Sequence, residues 1–505
     1  MRTKNTLKTF LYGILLTSII AVLGLVKTKI LLQYLGEEYV GVYQLFYQLY
    51  TYISIVDGGI GASIAYHLYK PIHENDTESI NKLYNGSKYY FRMVGFIVIL
   101  LGIVLSLGIM FLIKDTTISA IYIKICFVLF VVSSATSYFT TAHALIYEAE
   151  QKLYKSSNLN HLLAISESIV CIVVALLGGK LLTILTIFLL LSIIKNIILV
   201  HNSKKDHKYL KKSKARDLSF KKEANNLIIS KINTLVNENI DVLILSKFVG
   251  LTFVVIYTAY NQIVNMIKLM IQRLNSALLP SIGNLLVAEK EKAKSTFKEL
   301  NAILFYVGSL LFVPLYYMIT PFIKLWYGKE YTVSNYVSLL FVVILYINII
   351  KISLESYIKA AGEFKSVKNC AIYQCITNLA LSLLLVNKYG IGGVLIATVF
   401  SFATGNFIHY PRIISKKIIN DKVINYYKKC FKYIIGLVFN IFICYYINRY
   451  LSNSSIFMWI INGMILFIIN FILTSIYYYL TKELIFDKRI KFVLNKIIKK
   501  SGKKA

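Results

Sequence analysis

Five polar side chains, Tyr257, Asn261, Asn265, Lys268 and Gln272, recur at intervals of 4, 4, 3 and 4 inside an otherwise apolar run. That spacing lines one face of an α-helix, and Arg273 follows directly. Subtracting 214 from each position gives Tyr43, Tyr47, Thr51, Ser54 and Gly58, a second polar or small face. Asn233, Asn237 and Asp241 repeat every fourth residue, with Lys231 and Glu238 beside them, and at the same offset Asp241 corresponds to Lys27. Asp57 opens Asp57-Gly58-Gly59-Ile60-Gly61, where a helix should loosen or bend next to its carboxylate. Lys124, His143 and the i, i+4 pair Lys351 and Glu355 complete the set. Ionisable groups in apolar runs are rare and mark binding or conduction by default. Each also has a plainer reading. The two stripes could be interhelical polar packing, Lys27 and Lys29 could snorkel to an interface, Lys351 and Glu355 could neutralise each other, and His67 and His143 could be satisfied packing residues.

Bond-breaking machinery is not legible. The chain lacks G-x-x-x-x-G-K-[ST], H-E-x-x-H and G-x-S-x-G. Cys126, Cys171, Cys370, Cys375, Cys430 and Cys444 form no CxxC pair, so neither a disulfide framework nor a metal site is expected. No cofactor and no enzymatic activity are expected.

The elements that must position these groups are membrane helices. Of 505 residues, 57% are hydrophobic and 16% charged, the mean hydropathy is +0.63, and soluble domains run at about a quarter charged. Apolar runs of roughly 18 to 25 residues suit helices crossing about 30 Å of hydrocarbon. About fourteen spans are expected. The net charge of +32 lies in alternate connections, among them 204–222, 290–298, 416–429 and 482–504. That placement follows the positive-inside rule, excludes a nucleic-acid partner and puts both termini in the cytoplasm.

The stripes belong to an internal repeat. Tyr34 to Gln48 matches Phe248 to Gln262 at an offset of 214, and Glu150 to Lys155 matches Glu363 to Lys368 at 213. The expected architecture is therefore all-α and polytopic, two parallel-repeat six-helix lobes plus two extra C-terminal helices. Its expected parts are an N-lobe over 1–200, a basic cytoplasmic linker over 201–222, a C-lobe over 223–413, a final helix pair with its basic loop over 414–481, and a basic tail over 482–505.

Three stretches, Leu35 to Ile64, Asn237 to Gln262 running on to Pro280, and Ala360 to Ser401, resemble the polysaccharide repeat-unit (Wzx-type) flippases. These belong to the multidrug/oligosaccharidyl-lipid/polysaccharide exporter superfamily, which includes the MATE transporters. The resemblance implies translocation of an undecaprenyl-diphosphate-linked oligosaccharide across a bacterial cytoplasmic membrane by alternating access, driven by an H+ or Na+ gradient. It implies lipid-linked oligosaccharide and membrane lipids as partners, with a polysaccharide polymerase and glycosyltransferases as further candidates. Lys27, Lys231, Lys268 and Arg273 would then meet diphosphate, and Tyr43, Tyr47, Tyr257 and Asn261 sugar. Rival readings are a peptidoglycan-precursor flippase, a drug or cation antiporter, and a membrane glycan polymerase or glycosyltransferase.

Overall fold

The computed structural model describes residues 2–223, 240–481 and 483; the side chains of 2–15, 222, 223, 273–280, 287, 290, 364 and 365 fall outside that description. Every regular element among the described residues is helical, the form in which a lone segment satisfies its own backbone in hydrocarbon. Two compact units divide the chain, 1–255 and 256–505. The first holds α1 (Arg2–Leu35), α2 (Glu37–Ile53), α3 (Gly61–Glu74), α4 (Thr77–Gly108), α5 (Ala120–Ala135), α6 (Thr141–Ala149), α7 (Tyr154–Leu176), α8 (Leu181–Asp206) and α9, described over 240–248. After α10 (Leu251–Ala288), the second holds α11 (Lys290–Trp326), α12 (Asn335–Ala360), α13 (Phe364–Tyr389), α14 (Ile391–Thr404), α15 (Asn406–Ile413), α16 (Val423–Asn448) and α17 (Ile456–Leu480).

Among the described residues, 12 helices are long and apolar enough to cross a membrane. They fall on twelve of the fourteen expected spans. The seventh, 224–247, is described only from 240. The second, 40–66, is not continuous: Ser54–Asp57 winds as a 3-10 turn, and Gly58 and Gly59 take φ values of 65° and 66° before α3 begins at Gly61. A Cβ is penalised in that left-handed region, so the glycine pair permits the break. Asp57 fixes it by accepting the Gly59 N–H at 2.8 Å.

The repeat reappears in the spacing of helix starts: 251 − 37 = 214 for α2 and α10, 290 − 77 = 213 for α4 and α11, and 391 − 181 = 210 for α8 and α14. Gly36 and Gly250, each just before a helix, have φ values of 92° and 132°. The first unit runs past 201–222 because the chain returns to α2. Thr252 donates to Glu37 at 2.7 Å, and a methyl added at Gly41 would sit 2.8 Å from the Leu251 carbonyl oxygen.

The basic segment 201–222 is strapped onto the start of α4. Asn81 donates to the Tyr209 carbonyl at 2.9 Å and accepts from the Lys211 N–H at 2.6 Å. Asn85 donates to the Lys211 carbonyl at 2.9 Å and accepts from the Ser213 N–H at 3.3 Å. The Asp217 N–H bonds the Lys82 carbonyl at 3.0 Å, and Phe220 is fully buried. Lys208, Lys211, Lys212 and Lys214 stay exposed. Where the strap leaves α8, Glu150 lies 3.1 Å from the buried His207 ring and 2.8 Å from Lys152. Asp206 beside it accepts from Lys155 at 2.6 Å and from Tyr147 at 2.7 Å.

Candidate functional site

In the first unit, α7 packs between α1 and α8. Asn160, Glu167 and Cys171, separated by 7 and 4, share one face of α7. Lys27 of α1 lies 5.3 Å from the centre of the Tyr43 ring of α2, within reach of a cation–π attraction. Two expected site residues are thereby brought together. The fields of Lys27 and Lys195 both act on Glu167, and Lys195, buried in α8, reaches Asn160 at 3.4 Å. Tyr43 also stands edge-on to Phe130 at 5.9 Å. The result is a cluster of two ammonium groups, one carboxylate and an aromatic face within the first unit. Glu167 and Lys195 were not singled out from the sequence. The signal was there, since the rule that picks out Asp57 applies equally to a carboxylate in the apolar run 160–178.

The rest of the α2 stripe divides. Tyr47 is 60% exposed, whereas Thr51 and Ser54 donate to carbonyls of their own helix at 2.9 and 2.7 Å. Asp57 sits at the break, where Tyr138 donates to its carboxylate at 3.4 Å and Tyr90 to its carbonyl at 3.5 Å. Asp241 is buried in α9. Lys231 and Asn237, with Asn233 and Glu238, lie outside the described residues.

In the second unit Tyr257 is buried against Phe341, ring centres 5.5 Å apart. Asn261, Asn265 and Lys268 follow half-buried along α10, and Gln272 is exposed. The Arg273 side chain lies outside the description. Lys351 and Glu355 approach to 3.5 Å, and Lys359 reaches the same carboxylate at 3.4 Å, so this pair is internally neutralised. His143 is a packing residue, its two ring nitrogens bonded to Tyr84 at 3.0 Å and Ser203 at 2.9 Å.

The family described as "Polysaccharide biosynthesis protein" matches residues 6–286. No curated protein matches the chain by sequence. Among solved structures, "Lipid II flippase MurJ, inward closed conformation" is similar at a TM-score of 0.68 and 16% identity, covering 93% of this chain and 99% of that one. An inward-facing multidrug resistance MATE family transporter of the MOP superfamily matches at 0.61 and 14%, covering 78% and 97%. A Vibrio cholerae MATE transporter matches at 0.55 and 14%, covering 83% and 99%. At these identities the likeness is one of fold, the MurJ- and MATE-like helical bundle.

Proposed function

The chain belongs to the polysaccharide biosynthesis protein family, and from that premise we propose that it is a flippase for a lipid-linked oligosaccharide. Its substrate is an undecaprenyl-diphosphate-linked repeat unit, carried across a bacterial cytoplasmic membrane by alternating access and driven by an ion gradient. The observation that carries this reading is family membership on a chain with the fold of a lipid-precursor flippase. The first-unit cluster supports it. Lys27 and Lys195 offer positive charge to a diphosphate, Tyr43 offers a face to sugar rings, and Glu167 lies within the fields of both lysines. Lys268, Asn261 and Asn265 extend the same chemistry along α10, and Tyr47, Lys231, Asn237, Asp241 and Arg273 join them on sequence grounds. A cation antiporter is less well supported, because ammonium groups outnumber carboxylates among these residues.

The deciding experiment is leaflet-resolved measurement of lipid-linked glycan in a deletion strain. Precursor should accumulate on the cytoplasmic leaflet and return to normal on re-expression. Lys27→Ala combined with Lys268→Ala should lower export at least tenfold at unchanged protein level. Normal outer-leaflet delivery in the deletion strain would overturn the reading, and normal export by the double variant would remove the lysines from the mechanism.

A further inference from the structure

A cavity of about 280 Å³ in the second unit lies among α11, the π-helical turn Ile414–Ile418 and the start of α16. π-Helical turns are rare and concentrate at functional sites. Three polar side chains in the cavity wall are more than nine-tenths buried: Asn301 and Ser415 are 3% exposed and Tyr426 is 6% exposed. The Asn301 carboxamide oxygen accepts from Ser353 at 3.1 Å. The Tyr426 hydroxyl is sealed from solvent with no oxygen or nitrogen partner. A buried donor left unmatched is costly.

Charge in the wall points the same way. Lys298 lies 2.8 Å from Asp421, and Lys429 lies 3.0 Å from Glu483. Lys422 and Lys428 also line the cavity and have no carboxylate within 4.0 Å among the described residues. Asp421 is already saturated, taking the Lys422 N–H at 2.8 Å and Asn425 at 3.0 Å as well as Lys298. Burial would raise its carboxyl, but the hydrogen bonds from Lys298, the Lys422 N–H and Asn425 outweigh burial and hold it at about 2. The unmatched groups are therefore donors and cations. They call for a compact anion rich in acceptor oxygens.

We propose that this cavity binds a phosphate group, presented by an anionic phospholipid head or by a soluble phosphate compound. The site does not depend on the transport reading. The connection that carries it is one of the basic ones, on the side where anionic headgroups attract lysines.

The test uses the full chain. In detergent, inorganic phosphate and pyrophosphate are titrated by calorimetry. In nanodiscs of phosphatidylcholine with or without phosphatidylglycerol, retained lipid is measured by native mass spectrometry. The variants are Lys422→Ala with Lys428→Ala, both exposed and so neutral to folding, and Tyr426→Phe, which removes only the hydroxyl. Saturable binding should weaken roughly tenfold in the lysine variant and roughly threefold in Tyr426→Phe. A response to free phosphate assigns a soluble ligand; selective phosphatidylglycerol retention without that response assigns the lipid. The proposal is overturned if wild type shows neither, or if binding is unchanged in both variants.

Discussion

Glu150 shows how this chain manages charge where helices leave the bilayer. Burial would raise its carboxyl, yet hydrogen bonds from His207 and Lys152 outweigh burial and hold it at about 2, against an ordinary 4.5. A carboxylate whose folded value is depressed adds stability above its unfolded value, and that stability drains away as pH falls toward the folded one. The window here runs from about pH 4.5 down to about pH 2. Glu150→Gln should lower stability at neutral pH by about 1–2 kcal/mol, less than a fully buried pair because part of the group meets solvent. It should also flatten the acid decline. Fluorescence-monitored melting of purified protein from pH 7 to pH 3 checks this, and an acid limb as steep as wild type would refute it. The same scale marks the limit of sequence reading. Lys27 and Tyr43 were legible from their places in apolar runs, and their meeting at 5.3 Å ties two of them together. Thr51 and Ser54 have the right spacing, but they bond their own helix, and spacing along one helix does not reveal where a hydroxyl donates. Tyr257 was legible as part of a stripe, yet Phe341, more than 80 residues away, decides that it is buried.

Spans were the most legible elements, because twenty apolar residues in a row have few alternatives. The glycine pair after Asp57 announced the α2–α3 break for a similar reason. The strap was not legible. Asn81 and Asn85 look like polar surface residues, and only the fold shows that they hold a backbone segment some 126 to 130 residues further on. A Cβ at Gly86 would collide with the Asp217 carbonyl. Gly86→Ala and Asn85→Leu should therefore lift the strap from α4 without disturbing the spans. Limited trypsin digestion should cut at Lys211, Lys212 and Lys214 at least several-fold faster in both variants, with far-ultraviolet circular dichroism unchanged. Wild-type cleavage rates would mean that the strap is held by other contacts.

For the whole molecule, the alternation of basic and basic-poor connections predicts which ends face the cytoplasm. A cysteine at Lys212 should be labelled by an impermeant thiol reagent only after the membrane is opened, and one at Lys114 in intact cells. The reverse pattern would invert the topology and with it the direction of the proposed transport. The duplicated architecture was legible from two short matches near one offset, and the recurrence of helix starts at offsets of 210 to 214 extends it.

One contact made early in the chain has a consequence for biogenesis. Glu37 and Gly41 at the head of α2 are completed by Thr252 and Leu251, 215 and 210 residues later. A ribosome delivers these partners in order. The nascent first unit therefore waits in the bilayer with one flank of α2 uncovered until the opening turn of α10 emerges, and a ribosome stalled before that point leaves an assembly intermediate that quality-control proteases can recognise.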